Sequence, residues 1–112
     1  MIFDTKELKR AIRHRHRDTR AVIIEELRTA CGFMNGSERY IDVWAIEPSA
    51  SKGCLASSYE IKISRADFLR DLKQPLKQRG ARLFSDQFWF VTPPGLLKAE
   101  EIPDWAGLLE PS

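Results

Sequence analysis

Cysteine is scarce in this chain: Cys31 and Cys54 are the only two in 112 residues, and neither sits in a CxxC or Cys/His cluster. That excludes a disulfide-built scaffold and a thiolate zinc site, and both are expected as reduced, half-buried thiols. Long apolar runs are missing too. Nothing approaches the roughly 18 residues of a transmembrane span, and the amino terminus lacks the apolar core of a signal peptide. The expectation is a cytoplasmic protein with no membrane partner. There are no internal repeats. With 43% hydrophobic and 30% charged residues, the composition excludes disorder and fibrous classes, and the length suits one domain over residues 1–112 with one real core.

Net charge is only +2, but it is unevenly spread. Residues 1–20 hold seven Lys or Arg against three acids, and residues 62–82 hold seven against two. Two basic blocks around an acidic centre suit a protein that attracts a polyanion at its rim and holds a cation in its middle. The plainer alternative is that these cations decorate two solvated helix faces.

Periodicity gives the elements. Thr5 to Arg17 has Leu8 and Ile12 at helical spacing, with Asp4 or Thr5 as cap. The β-branched run in Ala21 to Arg28 favours a strand over a helix. Met34-Asn35-Gly36-Ser37 reads as a turn into a strand from Arg39 to Glu47, alternating through Ile41, Val43 and Ala45. Pro48 to Gly53 is expected as a loop and Leu55 to Ile63 as a strand. Ser64 then starts a helix with Phe68, Leu69 and Leu72 on its apolar face, and Asp67 stands at capping-box spacing from Ser64. Pro75 marks a break before a helical segment reaching about Phe84. Phe88-Trp89-Phe90-Val91 is apolar throughout, as in a central strand covered on both faces, and Thr92-Pro93-Pro94-Gly95 stops it.

The chemistry concentrates in Tyr59-Glu60-Ile61-Lys62-Ile63, with Asp42 in Ile41-Asp42-Val43 upstream. Residues i and i+2 of a strand share a face, roughly 6.7 Å apart, so Glu60 and Lys62 project together and Asp42 can join them from the neighbouring strand. Two hard carboxylates and an ammonium at one spot are the minimum for metal-assisted phosphodiester hydrolysis. The alternative is a surface ion pair worth less than about 1 kcal/mol. Asp42 lies mid-strand against β-propensity, which favours a functional reason for it. Ser64 and Asp67 read first as helix caps. His14 and His16, two apart on a helix, point about 200° apart and read as solvated or phosphate-facing rather than as a metal pair. Trp44, Trp89 and Phe90 read as core aromatics.

Asp42, Glu60-x-Lys62 on the next strand, then a helix and a hydrophobic strand resemble the core of the PD-(D/E)xK nuclease superfamily. The string from Tyr59 to Leu69, together with Phe88 to Pro93 and Gly95-Leu96-Leu97-Lys98, is similar to the bacterial MmcB-like DNA repair proteins, over roughly residues 23–110. Ile41 stands where the superfamily motif has proline. The resemblance implies an α/β (α+β) restriction-endonuclease-like core, with a central mixed sheet of four to five strands flanked by helices. It also implies a metal-dependent nuclease acting on DNA in repair. Asp42, Glu60 and the Ile61 carbonyl would hold Mg²⁺ or Mn²⁺, and Lys62 would orient water, stabilise charge or act as a base with a lowered pKa. A further acid upstream matches Glu26 better than Glu25.

Nucleic-acid contacts are expected from cations near the motif: Arg65 and Ser64 at a helix amino terminus, Lys52 in the preceding loop, and Lys73, Lys77 and Arg79 in the second basic block. Such contacts carry little sequence information. A homodimer is compatible with the resemblance, because small nucleases of this fold often need two subunits to cut both strands. The rival from another class is a nucleic-acid-binding module on a nuclease-like fold with little or no cleavage. A third option is a scaffold domain whose charged strand is merely solvated.

Overall fold

Asp4 sits just ahead of the first helix and its side chain accepts the Glu7 backbone N–H at 2.9 Å, which fixes where that helix starts. The computed structural model describes residues 3–28, 40–49, 53–74 and 79–111. Helix α1 spans Thr5–Arg15, and its Leu8 and Ile12, one turn apart, are both fully buried. Strands β1 (Val22–Arg28), β2 (Tyr40–Ser49) and β3 (Gly53–Ile61) follow, then α2 (Arg65–Leu72), α3 (Arg79–Leu83), β4 (Gln87–Val91), a 3-10 turn at Ala99–Glu101 and β5 (Gly107–Leu109). The expected turn at Met34 to Ser37 lies outside the described residues, as do Cys31, Lys52 and Lys77.

The strands form one five-stranded mixed sheet in the order β1-β2-β3-β4-β5. The first three pair antiparallel, while β3–β4 and β4–β5 are parallel. The chain is therefore an α+β fold with a mixed sheet flanked by helices, as the sequence predicts. Helix α1 covers one face, where Leu8 and Ile12 pack with Val43, Ala45, Tyr59, Ile61 and Val91. On the other face Phe68 of α2 and Ala81 of α3 join Ile41, Phe88, Phe90 and Leu97. Edge-to-face contacts tie this second cluster, with Phe68–Phe90 centroids 5.1 Å apart and Phe88–Trp105 also 5.1 Å apart. Burying each of these large apolar side chains contributes roughly 1.5–3 kcal/mol. No helix among the described residues is long and apolar enough to cross a membrane.

Several local expectations are corrected. β2 continues through Pro48, which pairs with Cys54, rather than breaking before it. The pairing with β1 reaches only as far as Ile46, so the missing N–H of Pro48 interrupts no ladder on that side. Helix α1 stops two residues short of Arg17. Leu69 is 42% exposed, leaving Phe68 and Leu72 as the inward apolar residues of α2. Cys54 is an exposed free thiol, not a half-buried one. Beyond Thr92 to Gly95 the chain adds a further strand, β5, which the sequence reading did not assign. Gly107 lies opposite Trp89, and a Cβ there would stand 2.6 Å from the indole ring, so only glycine lets this strand dock.

A candidate active site at the carboxyl end of β3

Three elements deliver the charged residues. β3 carries Glu60 and leads into Lys62, whose N–H donates to the Val91 carbonyl at 2.9 Å and so continues the parallel ladder with β4. β2 supplies Asp42, whose carboxylate accepts the Ile61 backbone N–H at 2.9 Å. The Val43–Tyr59 pair sets the register, and its next step brings Asp42 level with Glu60. The convergence expected from strand spacing is therefore present.

Lys62 is 6% exposed, and its Nζ lies 3.4 Å from Glu60 Oε1. It also donates a hydrogen bond to Asp71, which is 3% exposed on α2. Burial alone pulls the ammonium towards neutrality. The hydrogen bond from Lys62 to Asp71 and the negative charges of Glu60 and Asp71 outweigh it, and the net direction is upward. The lowered pKa expected for a lysine base is thus not what this arrangement produces: Lys62 is held as a cation. Glu60 is pushed up to about 7, first by burial and then by the charge of Asp42, with Lys62 opposing both. Two carboxyl groups face each other where water is scarce, and one cation does not fully compensate them.

Asp71 escaped the sequence reading. Its signal is an acid three residues after Phe68, on the face of α2 that packs inward, where a lone carboxylate demands a buried partner. The amino end of α2 is fixed by Ser64, whose hydroxyl accepts the Asp67 N–H at 3.1 Å.

Glu26 occupies the position on β1 between the Glu25–Val43 and Leu27–Ile41 pairs, level with Asp42. Its φ of 56° makes it the one non-glycine residue with positive φ among those described. For a glutamate this left-handed geometry costs roughly 1–2 kcal/mol, and such outliers gather at functional sites. Here it also changes faces: Ile23 packs on the α1 side, whereas Leu27 packs on the α2 side. Glu26 itself is exposed, and no trio of His, Cys, Asp or Glu among the described residues is close enough to hold a metal ion. Glu25 is committed elsewhere. Its carboxylate accepts from Arg13 at 2.6 Å and pairs with Lys9 at 3.0 Å, and those two partners, Arg13 first, hold its pKa down.

The cations expected at nucleic acid have diverse positions. Arg65 is held by Glu101, with one N–H···O distance of 2.6 Å, and that hydrogen bond is the main reason the Glu101 carboxyl is held down at about 2. Lys73 is exposed at the carboxyl end of α2, roughly 13 Å along the helix from Ser64. Arg79 begins α3. Of the histidines, His14 is exposed as expected. His16 is not: it is 7% exposed at the C-cap of α1, with Glu47 on one ring nitrogen and Tyr59 on the other. Phe90 is core, while Trp44 and Trp89 are only half-buried.

No family model matches the chain, and no curated protein does. Among solved structures it is similar to the SPO1766 protein of unknown function from Silicibacter pomeroyi, with 27% identity and a TM-score of 0.65. The match covers 90% of this chain and 59% of that one, so the chain spans about three fifths of the length of its structural neighbour.

Proposed function

We propose that the chain is a metal-dependent nuclease of the PD-(D/E)xK kind, hydrolysing DNA phosphodiester bonds in repair, as the MmcB-like string at Tyr59 to Leu69 suggests. The observation that carries this reading is the meeting of Asp42, Glu60 and Lys62 at one sheet end, where Glu60 and Asp42 repel each other beside a buried ammonium. A structural ion pair needs one acid and one base. This cluster has an acid too many, which a bound divalent cation would offset.

Mg²⁺ or Mn²⁺ fits the donor set in its hardness: two carboxylates and the Ile61 carbonyl are oxygen ligands, and water and substrate phosphate complete such sites. When bound, the metal supplies an acidified water and charge stabilisation at the phosphorus. Asp42 would act in two ways, as a ligand and, through the Ile61 N–H it accepts, as the group that fixes the backbone whose carbonyl would be the third donor. Lys62, kept cationic by Asp71, stabilises the charge that builds on the phosphate rather than accepting a proton. Arg65 reaches a phosphate only by leaving Glu101.

One observation favours the rival, a nuclease-like fold that binds without cutting: Lys62 is locked onto Asp71 in a buried ion pair that a purely structural role also explains. The two are separated by cleavage of single-stranded, duplex, flapped and mismatched DNA with Mg²⁺ or Mn²⁺. The variants are Asp42→Ala, Lys62→Ala and Glu60→Gln. Metal-dependent cutting by wild type, lost by at least about 100-fold in all three, establishes the nuclease. Glu60→Gln is the informative variant, since it relieves repulsion and should fold better while cutting nothing. No cutting of any substrate, with salt-sensitive binding unchanged across the variants, establishes the binding module instead.

A further inference from the structure

A second polar cluster lies on the α1 face of the sheet and takes no part in the proposed hydrolysis. His16 Nδ1 is 2.5 Å from Glu47 Oε1, and His16 Nε2 is 2.7 Å from the Tyr59 hydroxyl. The two rings meet edge to face, 5.8 Å between centroids. A carboxylate only accepts, so the imidazole proton facing Glu47 sits on Nδ1. In the neutral ring Nε2 then accepts from the Tyr59 O–H. Nucleophile or acid, base and orienting acid stand in the order that acid–base sites use.

The cluster does not end there. Arg15, Leu55, Ser57 and Gln87 join His16, Glu47 and Tyr59 around a cavity of about 400 Å³, within the range of small-molecule sites. The Arg15 guanidinium lies over the Trp89 ring at 4.9 Å from its centroid, which steadies it at the cavity wall. A buried tyrosine hydroxyl needs one partner, which His16 already provides. The guanidinium and the Ser57 hydroxyl are further donors in the lining, and Gln87, whose amide oxygen accepts from the Trp89 indole N–H at 3.3 Å, adds its amide N–H. Glu47, the one acid of the lining, is engaged by His16. The surrounding charge agrees, since the last turn of α1 is Arg13, His14, Arg15 and the chain continues through Arg17 and Arg20.

We propose that this cavity is a second binding site, taking a small oxyanion such as a phosphate monoester or a carboxylate, with Arg15, Ser57 and the Gln87 amide N–H as its recognition groups. It is independent of the nuclease reading, because none of these side chains belongs to the Asp42, Glu60, Lys62 cluster. The site takes one anion, and the Glu47–His16 pair holds the phenol in place.

Calorimetric titration of the full chain with inorganic phosphate and, separately, with acetate tests it. Wild type is expected to show saturable one-to-one binding in the millimolar range. Arg15→Gln and Ser57→Ala should weaken it by about tenfold, while Arg17→Gln, a cation outside the lining, leaves it unchanged. Gln87 is exposed at the start of β4, so Gln87→Leu leaves the buried relay intact and should still weaken binding severalfold, even if another variant fails to fold. Saturation by either anion supports the site, and the tighter one names the group. Absence of saturable binding to wild type up to about 50 mM, or an equal loss in Arg17→Gln, overturns it.

Discussion

Both faces of the sheet bury a polar cluster, and they handle it in opposite ways. On the α1 face Glu47, His16 and Tyr59 form a chain in which each group has the partner its chemistry calls for. On the α2 face Glu60 and Asp71 share one lysine while the charge of Asp42 acts on Glu60, which is left pushed up to about 7. A satisfied network stabilises and specifies a core; an over-acidic one costs stability. The contrast is between a cluster with more acid than its one lysine balances and a relay whose members satisfy one another.

Removing the lysine should sharpen that contrast most. Lys62→Met leaves Asp71 and Glu60 buried without their cation, and a loss of roughly 3–5 kcal/mol is expected in urea unfolding at pH 8. Glu60→Gln should act the other way. Folding raises this pKa, so between its ordinary value of 4.5 and about 7 the folded chain binds more protons than the unfolded one. Stability therefore falls as pH rises through that window and levels off above it. In chelator, Glu60→Gln should remove that slope and be more stable than wild type at pH 8, by up to about 3 kcal/mol, with little difference below pH 4.5. On the other face, Tyr59→Phe deletes one hydroxyl and leaves His16 Nε2 unpaired, for a loss of about 1–2 kcal/mol and no such rescue at any pH. The smallest effect is Ser64→Ala, which removes the cap of α2 beneath the charged cluster and costs about 1 kcal/mol, read as a shifted denaturation midpoint.

Much of this was legible in sequence, for identifiable reasons. α1, β2, β3 and α2 announce themselves because their apolar residues recur at the period of the backbone, and β4 because it is apolar throughout, as a strand covered on both faces must be. Asp42, Glu60 and Lys62 could be grouped because strand geometry has a fixed repeat. Asp71 and the Glu47–His16–Tyr59 relay could not, since nothing local reveals which acid a folded helix will set against a distant lysine or tyrosine. His16 shows the limit well. Helical spacing correctly sends it away from His14, but whether that direction is solvent or sheet depends on β2 and β3. Three-residue β5 has too few positions to show alternation, and its key feature, a glycine facing Trp89, resembles any loop glycine until the strands are paired.

Tyr59 and Glu60 are consecutive on β3, one turned to α1 and the other to α2. Because side chains alternate, deleting or inserting one residue ahead of them would send the phenol into the acidic cluster and the carboxylate into the apolar layer under α1, undoing both clusters in a single event. β3 is thus the part of the chain least free to change length, and related sequences that keep either cluster should align through Gly53 to Lys62 without a gap.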